Sequence, residues 1–159
     1  LYTDTVDEYL SETVNPLWPR LRKEAMRILQ LESELEEIVR LVGIEALSRK
    51  ERLVMETAKS IREDFLQQNS FDPDDTYTSM KKQFLLLKLV LAFYYESEKI
   101  IEKDFNIGDL LSLKVRESIA RAKYIKENEL QKFEEIENEL KEKIEEIGLK
   151  AQEISGKES

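Results

Sequence analysis

The chain contains no cysteine and no histidine. The first absence excludes disulfides, thiolate zinc sites and cysteine nucleophiles. The second removes imidazole metal ligands, the usual base of a catalytic triad and the Glu-x-x-His signature of di-iron bundles. Glycine and proline are scarce, four and three in 159 residues, so little interrupts regular structure. The glycines, at 43, 108, 148 and 156, stand singly, and none belongs to a phosphate-cradling loop. Cations are outnumbered, 25 against 34 anions, for a net charge of −9. That balance argues against nucleic acid, whose phosphates need clustered Lys and Arg. No secretory signal opens the chain. It begins at Leu1 instead of methionine, as expected either of a stretch taken from a longer polypeptide or of a processed chain.

What is present favours helix. Hydrophobic residues make up 41% and charged residues 37%, enough for one core and a solvated surface. Long runs of Leu, Glu, Lys and Ile are strong helix formers, so an all-α bundle is expected. The longest apolar run is FLLLKLVLAFYY at residues 84–95, interrupted by Lys88. As a helix its 12 residues cover about 18 Å against a hydrocarbon core of roughly 30 Å. It reads as a buried core helix, running to about Lys103, and no membrane insertion is expected.

Around that helix the punctuation is legible. Residues 3–14 form a short helix ended by Asn15-Pro16. Pro19 suits the first turn of the next helix, and Gly43 its C-terminal cap. Between them Leu21, Ala25, Ile28, Leu29, Leu31, Leu35, Ile38, Val39 and Val42 recur mostly at three and four, an amphipathic stripe. Ser48 and Glu51 make a capping box for a returning helix that reaches about Gln67. Its inward residues are Leu53, Val54, Ala58, Ile61 and Phe65. These two helices form a long antiparallel hairpin. Residues 69–79 are a loop rich in turn formers, and Asn106-Ile107-Gly108 is a break. From Val115 a helix continues through Ile119 and Ala122 into an extended C-terminal amphipathic helix. There Phe133, Ile136, Leu140, Ile144, Ile147, Ala151 and Ile154 keep three- and four-residue gaps without a clean heptad. Such a stripe packs on its own domain, or pairs with a second chain as a free-standing helical adaptor or scaffold would. Past Gly156 the tail frays.

No catalytic constellation and no metal site is expected. Pairs such as Glu134-Glu135 are solvated helix faces. The acidic loop Asp72-Pro73-Asp74-Asp75 lacks the glycine and spacing of a calcium loop. Trp18, Phe84, Phe93, Tyr94 and Tyr95 are core aromatics. Two features ask for more. Gln67, Gln68 and Asn69 are consecutive carboxamides at a helix end, each able to donate and accept at an adenine edge, or simply to cap the turn. Residues 45–51 are a charged tip between two long helices; such tips are usually just solvent-exposed, but they are also where a helical hairpin would press on another subunit.

The stretches LESELEEIVRLVG (31–43), REDFLQQNSF (62–71) and VRESIARAKY (115–124) carry a resemblance. Over about residues 2–123 the chain resembles the C-terminal helical domain of the catalytic A subunit of archaeal-type (A/V-type) rotary ATPases. The resemblance implies a domain at 1–126, and composition alone reads the rest, 127–159, as a charged helical tail frayed at its end. The resemblance also implies that Mg-ATP or Mg-ADP is handled in the parent subunit, an ion-translocating ATP synthase/ATPase. The phosphate-binding lysine, catalytic glutamate and magnesium-binding threonine of that subunit lie upstream of Leu1, so this stretch is no enzyme alone and holds no cofactor. Gln67, Gln68, Asn69 and Phe71 then close over the adenine end of the nucleotide. Glu45, Ser48, Arg49, Lys50 and Glu51 occupy the place of the acidic DELSEED rotor-contact loop of F-type subunits, with Arg49 and Lys50 as departures from its acidic pattern. The implied partners are the remainder of the A subunit, adjacent B subunits and the central stalk. The implied location is cytoplasmic, at the periphery of a membrane-attached complex.

Overall fold

A computed structural model describes residues 16–67 and 79–153. The expected helix at 3–14, the loop at 69–78 and the end of the tail lie outside the described residues. Helix α1 spans Trp18–Val42, with Pro19 in its first turn. Gly43 stops it at φ 94°, a left-handed conformation that side chains avoid, while its N–H still reaches Val39 O. A single 3-10 turn, Ile44–Ala46, leads to α2, Arg49–Ser60. The capping box is present: Glu51 N–H donates to Ser48 Oγ at 3.1 Å, and Ser48 N–H to Glu51 Oε1 at 2.9 Å. The helix widens into a π-helical turn over Ile61–Leu66, closed by Gln67 N–H on Arg62 O.

Helix α3, Met80–Glu98, is the hub. Its apolar residues from Phe84 to Tyr94 are buried nearly all round, so neighbours must cover every side. The α1–α2 hairpin packs on one side and a C-terminal helix on the other. The fold is an all-α helical bundle, as expected. Lys88, the interruption in the apolar run, reaches outward to Glu137 at 3.4 Å.

Three boundaries differ from the expectation. Helix α3 ends at Glu98, not Lys103, because the next residues turn so that adjacent Ile100 and Ile101 are both buried. The extended pair β1, Lys103–Asp104, comes next and meets β2, Gln152–Glu153, antiparallel. Asn106-Ile107-Gly108 is a helix start and not a break: Asn106 Oδ1 caps α4, Ile107–Leu111, by accepting from Gly108 N–H at 2.9 Å. Finally, α5, Val115–Arg121, does not run on into the tail. Buried Lys82 donates its ammonium to Lys123 O at 2.7 Å, and the chain extends at Ile125 and Lys126. It then turns into α6, Gln131–Lys150.

Helix α6 buries Phe133, Leu140 and Ile144 in the same core as α3. Of the two uses open to its stripe, the structure shows packing on its own domain. At Gly148 a methyl group would stand 2.6 Å from Ile100 Cγ2, so the approach of α6 to the turn after α3 depends on glycine.

Candidate functional site

The hairpin tip is built from the end of α1, the 3-10 turn and the start of α2. Ser48 and Glu51 spend their polar groups on each other's backbone. Arg49 turns inward. Its Nε donates to Ile101 O at 3.1 Å and its Nη1 to Phe105 O at 2.6 Å, with the guanidinium 4.2 Å from the Phe105 ring centre. It thereby serves carbonyls of the non-helical stretch between α3 and α4. Lys50 lies 3.2 Å from Glu98, which holds its ammonium pKa above the usual lysine range. Arg49 and Lys50 are therefore both held by the domain itself, at the end of α3 and in the stretch that follows it. Glu45 is exposed, and so are Leu41, Val42 and Ile44.

The other end of the hairpin carries the carboxamide segment. Trp18 anchors it, with ring centres 6.5 Å from Phe65 and 6.4 Å from Phe84. Gln67 is exposed at the close of the π-helical turn, whereas Gln68, Asn69 and Phe71 lie outside the described residues. Around the turn, Arg62 pairs with the nearly buried Glu32 of α1. Lys123 donates to Glu63 O at 3.1 Å, tying the turn to the end of α5. A π-helical turn inserts one residue into the ladder and re-aims the chain beyond it, and such turns are frequent at functional sites. The short periodicity of Ile61 and Phe65 gave no sign of it. Leu17, Leu66, Met80 and Tyr124 are exposed apolar residues at this end, about 37 Å along α1 from the tip.

Asp64 sits in the π-helical turn at the wall of an open cleft of about 400 Å³ that also reaches Glu56, Lys59 and Arg116. Burial pushes its pKa up, opposed by the Ser60 hydroxyl, which donates to it, and by Lys123 and Arg116. A carboxyl with a raised folded pKa favours its protonated form. Its contribution is present below the unfolded pKa and is lost as pH rises through the folded one. Asp64→Asn is therefore expected to raise the thermal midpoint at pH 7. The gain should vanish below about pH 4, where the wild-type carboxyl is protonated in both states. A midpoint lowered at pH 7 would show that the charge is favourable there.

No group of three or more carboxylates placed to hold a metal ion occurs among the described residues. No helix among them is long and apolar enough to cross a membrane.

The family model for the C-terminal domain of V and A type ATP synthase matches residues 7–111. The chain belongs to this family. It is similar to the V-type ATP synthase alpha chain of Thermoanaerobacter pseudethanolicus, 54% identical over 141 residues, covering 89% of this chain and 24% of that protein. The same-named chain of Acetivibrio thermocellus is 53% identical over 146 residues, with 91% and 25% covered. That of Clostridium botulinum is 50% identical over 147 residues, with 92% and 25% covered. This V/A-type domain therefore spans about a quarter of the curated relatives it matches. Both segments singled out in the sequence, the tip and the residues leading to Gln67, fall within the 7–111 match.

Proposed function

We propose that this chain is the torque-transmitting C-terminal domain of a rotary ATPase A subunit. In this reading its hairpin tip bears on the central stalk, and residues 67–71 close over the adenine end of the catalytic nucleotide. Family membership supports the setting. The observation that carries the mechanical reading is the hairpin itself: one end stands uncovered at its tip, and the other is anchored through Trp18 beside the carboxamide segment. The exposed apolar residues at the anchored end suit burial against the remainder of the A subunit and its neighbouring B subunits. ATP binding and hydrolysis belong to that remainder, at the periphery of a membrane-attached, ion-translocating complex. Closure of the body swings the bundle, and the tip pushes an eccentric shaft. Helices packed on all sides of α3 shift as a unit instead of deforming, which suits them to carry force.

The test uses the full-length A subunit in the assembled complex. Ala46 is exposed at the tip, so Ala46→Cys labelled with a maleimide–benzophenone should photo-crosslink to a stalk subunit and halt rotation. Crosslinks to other subunits alone would sink the mechanical reading. For the adenine end, Phe71→Ala should raise KM for ATP with kcat largely spared, and an unchanged KM would remove that contact.

A further inference from the structure

Eleven large apolar side chains are exposed among the described residues, and four of them, Ile38, Leu41, Val42 and Ile44, fall within seven residues at the tip. Leu41 is 79% and Val42 66% exposed. Ile38, Leu41 and Val42 are spaced at three and four, so they are neighbours on α1, and Ile44 is exposed just beyond Gly43. Val42, with Ile38 at its edge, continues the stripe that is buried earlier in α1 at Leu21, Ala25, Ile28 and Leu35, and there the stripe outruns its cover; Leu41 lies round the helix from it.

The charge around this patch is predominantly negative, with Arg40 the one exposed cation between Ile38 and Leu41. Glu34, Glu36 and Glu45 are exposed and have no ion pair among the described residues, while Glu37 lies 3.4 Å from Arg40. The tip's other cations, Arg49 and Lys50, are held by the carbonyls of Ile101 and Phe105 and by Glu98. A predominantly acidic surface beside an apolar patch complements a helix that carries apolar side chains flanked by Lys and Arg.

We propose that the tip grips its partner through an apolar contact of Leu41, Val42 and Ile44, and that this partner is a helix with apolar residues flanked by basic ones. Arg49 and Lys50 are engaged by the stretch from Glu98 to Phe105 and stay out of the contact. This rests on the reading that the tip is the bearing surface. Apolar contact is non-directional, so it survives as a rotating helical surface slides past. Salt bridges have preferred geometry and would resist the turn at fixed angles.

The experiment compares three forms of the full-length A subunit in the assembled complex, all carrying Ala46→Cys and the same photo-crosslinker. The parent form reports whether the tip meets the stalk. Leu41→Ser with Val42→Ser is expected to lower stalk crosslinking about tenfold, as loss of central apolar anchors does. Both side chains face solvent, so the melting midpoint should not move, and circular dichroism checks that. Glu34→Gln, Glu36→Gln and Glu45→Gln together should retain the crosslink but flatten its dependence on salt. An unchanged yield in the serine form, beside a strong parent crosslink, overturns the apolar contact and leaves the bearing surface standing. A charge-neutral form that loses the crosslink as fully as the serine form also overturns it. No stalk crosslink in the parent overturns both.

Discussion

Leu87→Ala should destabilise the domain by about 3–4 kcal/mol, close to the upper part of the range for a buried leucine. Leu87 lies midway along α3 with no exposed surface, between Leu86 and Lys88 in a helix whose neighbours cover every side. Collapse into the vacated space would require one helix to move toward α3. That motion is opposed because the hairpin and α6 are each fixed elsewhere, by Arg49 at one end and by the close approach of Gly148 to Ile100 at another. The cavity therefore persists and its cost is kept. Domains of this size hold only about 5–15 kcal/mol in total, so the variant should melt roughly 10 °C lower. Leu149→Ala is the control. That side chain is 76% exposed on α6, and its loss should change stability by less than about 0.5 kcal/mol. Urea unfolding with unchanged m-values would give both numbers. A cost below about 1.5 kcal/mol at Leu87 would mean that the bundle relaxes freely around α3, and a force-carrying role for it would lose its physical basis.

The elements that local chemistry specifies were legible in the sequence. Pro19, Gly43 and the Ser48–Glu51 box marked the ends of the hairpin helices, and each performs the capping work its type predicts. The apolar run gave α3. What escaped the sequence depends on partners far along the chain. Nothing near Lys123 shows that its carbonyl will be taken by Lys82, 41 residues away, and that the helix must therefore stop. The end of α3 is likewise set by burying Ile100 and Ile101 together and by a strand pair with residues 152–153. At the tip, a charge read from sequence looks solvated, yet Arg49 folds inward onto carbonyls 52 and 56 residues on. Periodicity also marked Ile38 and Val42 as core-facing. A stripe reports which face is apolar, but not how far along the helix a neighbour extends to cover it. The carboxamide segment was readable only as composition, and just Gln67 of its members lies among the described residues.

Arg116→Met should cost about 2–4 kcal/mol, and Arg116→Lys about half of that. Three interactions converge on this guanidinium. Its Nη1 donates to Leu111 O at 2.6 Å and to Glu56 Oε1 at 2.9 Å, and its plane stands 4.5 Å from the centre of the Phe93 ring. It therefore joins α5, the end of α4, α2 and α3, with its side chain only 17% exposed. The Glu56 arm is the weakest, since that carboxylate is 32% exposed and water can replace the arginine there. Glu56→Gln alone should cost under about 1 kcal/mol. The larger share comes from the Leu111 carbonyl, left short of a donor beside the core, and from the lost stacking on Phe93. Lysine restores a charge near Glu56 but has neither the planar face nor the paired donors, so it cannot hold all three contacts at once. A double-mutant cycle of Arg116→Met with Glu56→Gln, measured by urea unfolding, separates the arms. Its coupling energy should be the minor part of the total. If it accounted for most of the loss, the surface ion pair would be what binds α5 to the hairpin, and the domain's cohesion at that joint should weaken steeply with added salt.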